Sequence, residues 1–91
     1  MSEVKSLGIK IAVVDNGFIY IGEVLVDGVY YIITRCANVR KSGTERGLGQ
    51  IAFDGPTKET TLDHSPNVLV PVGRMCHLMD VAEDKWEKHL R

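Results

Sequence analysis

The residues of this chain able to do chemistry are three histidines, two cysteines, an Asp-His-Ser run and a scatter of arginines and lysines. Asp63-His64-Ser65 holds the side-chain types of an acyl-transfer triad. Contiguous residues on a turn cannot line up as acid, base and nucleophile, so the run predicts no hydrolase. His64, His77 and His89 fall on three different predicted elements, and without Cys/His ligand spacing no zinc site is expected. Cys36 and Cys76 stand apart with no C-x-x-C motif, and read as buried thiols in a reducing cytosol. Gly43, Gly47 and Gly49 lead into no Gly-Lys-Ser/Thr and no helix start, so they cradle no phosphate. Asp15, Asp27, Asp54 and Asp63 are turn residues, explained by local Asx hydrogen bonds. The expectation is a protein that is not an enzyme, with no metal and no cofactor.

Binding is the chemistry left. The only basic concentration is Arg40, Lys41 and Arg46, set against Glu45 in a polar, glycine-containing stretch over 38–47. Three such charges form a solvated loop or, acting on phosphates, give only a shallow salt dependence. The net charge of −1 excludes a global basic field, so any nucleic-acid contact must be a local patch. No apolar run approaches the ~20 residues of a membrane helix, and residues 1–8 lack a signal-peptide apolar region, so the expected location is cytoplasmic.

The elements that must position these side chains are organised by the stretch Asp15–Ala37. Asn16-Gly17 and Asp27-Gly28 are strong type I′ turn dipeptides, each set between runs rich in Val, Ile, Tyr and Phe. They predict an antiparallel meander of strands over 9–14, 18–26 and 29–37. The second strand is apolar on both faces, so it is covered on both sides or lies in a barrel that also meets a neighbour. Gly22, in its middle, marks a sharp bend. Leu48–Phe53 reads as a fourth strand stopped by Asp54-Gly55-Pro56, and Thr57–Leu62 as its continuation or an edge strand. Asp63–Pro66 reads as a turn. Asn67–Val72 forms a short apolar strand, interrupted at Pro71 and Gly73 and resumed over Arg74–Met79.

The tail changes period. Asp80 with Glu83 three residues on resembles a capping box, and Ala82, Trp86 and Leu90 recur every four residues. A short C-terminal helix over about 81–90 is expected to pack Trp86 on the sheet or on a neighbouring subunit. The whole, residues 1–91, is one all-β domain: a small five-stranded antiparallel SH3-like barrel with that helix added.

At this point the chain resembles the Sm-like (LSm) family, in a divergent form closer to its bacterial and phage-type members. Val14, Gly17, Gly22, Val24 and Asp27 can stand at the positions of the first Sm motif. Val72-Gly73-Arg74-Met75-Cys76-His77-Leu78-Met79 has the place and rhythm of the second, with the Arg-Gly order reversed. The resemblance implies a homo-oligomeric ring closed through edge strands and an inner rim that binds single-stranded RNA. Residue by residue, it implies that Arg74 supports a base pocket and that Tyr30 or Tyr31 stacks a base, a contact worth ~1–3 kcal/mol. The amide that reads the base edge in that family has no counterpart at the matching position. Against these roles stand plainer ones. Tyr30 and Tyr31 can be a structural pair on opposite faces, and Arg74 a strand-end cap. The rival reading of the chain is a structural or protein-interaction module on the same barrel, with no nucleic-acid role.

Overall fold

A computed structural model describes residues 4–44 and 47–90. The two turn dipeptides behave as their residue types demand. Gly17 and Gly28 hold φ of 91° and 62°, and Asn16 Oδ1 accepts the Phe18 N–H at 3.0 Å. They join β1 (Lys5–Val14), β2 (Ile19–Asp27) and β3 (Tyr30–Lys41) into the expected antiparallel meander. β3 runs past residue 37, so Arg40 and Lys41 lie on a strand and not in a loop.

The length of β3 lets it carry two short strands on its outer side. β4 (Thr61–Ser65) pairs with its later half and β5 (Val68–Pro71) with its first residues, Tyr30–Ile33. Asp63–Ser65, expected as a turn, therefore belongs to a strand. The chain bends at Pro66-Asn67 without reversing, because both strands run antiparallel to β3. A 3₁₀ turn over Val72–Arg74 then leads into β6 (Met75–Asp80), which pairs with β1. Residues 67–79 are thus two strands with different partners, not one strand resumed. The sheet path is β4-β3-β2-β1-β6, with β5 also on β3; pairing among the described residues does not close it.

The sheet bends where Gly22 predicts. Pairing between β2 and β3 slips between Ile21 and Glu23, and opposite the slip Arg35 adopts φ 46°. Gly22 is required by close approach, since a Cβ there would lie 2.5 Å from Cys36 Cβ and 2.8 Å from the Thr34 carbonyl oxygen. Alternation then fills two cores on opposite faces. Ile9, Ile11, Ile21, Ala37 and Val39 point to one; Ala12, Val14, Val24, Ile33 and Cys36 point to the other. The apolar residues on both faces of β2 are explained by this double burial.

The first core is closed by a helix where a strand was expected. Residues Leu48–Asp54 form α1, because Leu48, Ile51 and Ala52 follow helical spacing and pack together on the sheet. A short apolar run carries both periodicities, and Phe53, which a strand would have buried beside Ile51, is 79% exposed. The last carbonyls of α1 need partners, and the chain supplies them. Gly55 N–H and Trp86 Nε1–H both donate to Ile51 O at 2.9 Å, and Ala82 N–H donates to Ala52 O at 2.8 Å.

The C-terminal helix is shorter than 81–90. It comprises α2 (Glu83–Trp86), followed by a 3₁₀ turn over Glu87–His89. Asp80 does not cap it; Ala82 stands at the N-cap, and Asp80 ends β6 with its carboxylate 2.6 Å from Lys10 Nζ. Trp86 is fully buried in the first core, as its place on the Ala82–Trp86–Leu90 stripe requires. No helix among the described residues is long and apolar enough to cross a membrane.

Candidate binding face

The tyrosine pair is divided by strand alternation. Tyr31 lies opposite Val70 and packs into the second core, while Tyr30 lies opposite Pro71 and stays 42% exposed. Of the two, only Tyr30 offers much ring to a ligand. Arg74 sits in the 3₁₀ turn and is committed to the β1–β2 turn. Its Nη1 is 3.2 Å from Asp15 Oδ2, and its carbonyl accepts the Asp15 N–H at 2.9 Å. Arg74 and Asp15 line a cleft of about 330 Å³ together with Val14, Tyr20, Val68, Val70 and Pro71. Neither Tyr30 nor Tyr31 lines that cleft.

Of the basic trio, Arg40 and Lys41 are consecutive on β3 where its pairing with β4 is irregular, and Arg40 Nη1 pairs with Asp63 Oδ2 at 2.9 Å. Arg46 lies outside the described residues. Asp63, His64 and Ser65 do not bond one another: Asp63 holds Arg40, and Ser65 Oγ bonds Cys36 Sγ and Pro66 O. Cys36 is buried and Cys76 exposed, both as free thiols.

Phe18, Tyr20 and Asn38, not singled out as site residues in the sequence, make a more coherent surface with Arg40 and Asp63. Tyr20, Asn38 and Asp63 are direct cross-strand partners on β2, β3 and β4, so they form one row across a single sheet face. Phe18 precedes Tyr20 by two residues and Arg40 follows Asn38 by two, which extends the same face. Together they line a shallow cleft of about 460 Å³. The Phe18 and Tyr20 rings lie 6.2 Å apart, tilted by 44°, and Phe18 is 53% exposed. Asn38 Nδ2 donates to Ile19 O at 3.2 Å, which orients the amide; among the described residues Oδ1 accepts no hydrogen bond. Burial, and after it the neighbouring Cys36 thiol, raises the Tyr20 phenol above its ordinary pKa, so it remains a donor throughout the physiological range. The available signal was the Phe18/Tyr20 alternation after the turn. Asn38 was hidden because its stretch read as loop.

No protein-family model, curated protein or solved structure matches this chain.

Proposed function

We propose that this chain is a non-enzymatic SH3-like barrel of the Sm-like kind that assembles head to tail with copies of itself, in the cytoplasm. The barrel reading is supported by the strand order, by the bend shared by β2 and β3, and by the 3₁₀ turn joining β5 to β6. The observation that carries self-association is the pair of unpartnered sheet edges. Among the described residues β5 pairs only with β3, and around it stand Leu69 at 60% exposure, Val29 at 71%, Tyr30 at 42% and Val72 at 41%. At the other end β6 pairs only with β1 among the described residues. An open edge beside exposed apolar side chains is a template for another strand, and two unlike edges make a heterologous contact, which gives a ring when the rotation between copies closes.

Single-stranded RNA bound through Tyr30, Tyr31 and Arg74 has less support, because Tyr31 is packed against the second core and neither tyrosine lines the cleft beside Arg74. The experiment is the solution mass of the native chain and of Leu69→Lys by light scattering on a sizing column. The native protein is expected as a closed oligomer at micromolar concentration, and Leu69→Lys as a folded monomer. A native monomer would remove the ring.

A further inference from the structure

Strand edges account for Leu69, Val29, Tyr30 and Val72, but not for the most exposed large apolar residue among those described, Phe53 at 79%. Phe53 stands on α1, turned away from the core that Leu48, Ile51 and Ala52 help to fill. The end of α1 is fixed by N–H groups donating to the Ile51 and Ala52 carbonyls. The ring is therefore offered on a rigid support and loses little freedom on docking. Asp54, also exposed, follows it.

The cleft beside Arg74 has the complementary shape and chemistry. It is lined by Val14 and Tyr20 from β1 and β2 and by Val68–Pro71 from β5, so its walls are mostly apolar. Its volume of about 330 Å³ exceeds the roughly 150 Å³ in which an apolar cavity holds benzene. The Arg74–Asp15 pair at its rim is neutral in sum, so apolar burial is the main attraction there. Arg74 uses Nη1 on Asp15, and its side chain, 68% exposed, keeps further donors for a second carboxylate. Arg35 shows that arrangement completed, with Glu23 and Glu87 on one guanidinium at 3.7 and 3.2 Å.

We propose that Phe53 of one copy docks into this cleft of a second copy, with Asp54 meeting the remaining donors of Arg74. The two surfaces lie on opposite faces of the sheet, α1 over the first core and the cleft beside Val14 and Val70 of the second, so the contact runs between chains. Being unlike, they make it heterologous. The inference rests on the self-association proposed above and adds a side-chain lock that is separate from the pairing of edges.

The test is light scattering of the native chain, Phe53→Ser and Asp54→Lys over a concentration series. Leu69 lines the cleft and also lies on the β5 edge, so its variant cannot separate the two contacts; Phe53 belongs to neither edge. Phe53→Ser is expected to raise the apparent dissociation constant at least about tenfold, as loss of an aromatic anchor does. Asp54→Lys is expected to act in the same direction by setting like charges together. Both residues are exposed, and unchanged emission from buried Trp86 verifies that the variants fold. The contact itself is read by photo-crosslinking. A chain with p-benzoylphenylalanine in place of Phe53, mixed with isotopically heavy native chain and irradiated, is expected to give light–heavy adducts at residues 68–71. A native oligomer whose association Phe53→Ser or Asp54→Lys leaves unchanged, or adducts confined to other residues, would overturn this contact alone. A native monomer would overturn it together with self-association.

Discussion

Asp80 shows how much a single residue's role depends on its partner. The hydrogen bond from Lys10, and then its charge, hold the Asp80 carboxyl below its ordinary pKa. A folded-state pKa lower than the unfolded one stabilises the fold above the unfolded value, and the contribution is lost as pH falls through the folded value. The side chain is 92% exposed, so the effect is small and weakened by salt. Unfolding midpoints of the native chain and of Asp80→Asn, followed with pH, are expected to differ slightly at neutral pH and to converge below the carboxylate range. A gap that persists in acid would deny the ion pair this role. The same dependence on partners limited what residue types could say about binding. Tyr30, Arg74 and Arg40 were visible as candidates. That Pro71 lies opposite the first, and that Asp15 and Asp63 hold the other two, followed from pairings that cross the chain.

Elements were legible where local chemistry decides them. The Asn-Gly and Asp-Gly turns and the alternation around them sufficed for the meander, and Gly22 announced the bend. The helix over Leu48–Asp54 was not legible as one. Its seven residues satisfy both periods, and the choice is made by Trp86 and Gly55, which supply partners for the Ile51 carbonyl. β4 was misplaced for a related reason: Asp63–Ser65 are turn-prone types held extended by Ala37, Asn38 and Cys36. The bend itself is testable. Gly22→Ala would place a methyl group against Cys36 and the Thr34 carbonyl, so about 1–3 kcal/mol of stability should be lost. Urea unfolding followed by Trp86 emission measures it. An unchanged midpoint would mean that the β2–β3 crossing relaxes freely.

At the scale of the molecule, both sheet faces are largely used for cores, and the surfaces left over are the edges and the Phe18–Tyr20 face. Composition hinted at this through the apolar residues on both faces of β2, yet could not say whether a helix or a neighbour covered each face. α1 and Trp86 cover the first core, and self-association is argued from the edges. The central claim is therefore about backbone groups, and amide hydrogen exchange of β5 and β6 at micromolar concentration tests it most directly. If edges pair between copies, the β6 amides turned away from β1 and the β5 amides turned away from β3 exchange slowly, and become fast in Leu69→Lys. Rapid exchange of those outward amides in the native protein, alongside slow exchange of the inward ones, would contradict it.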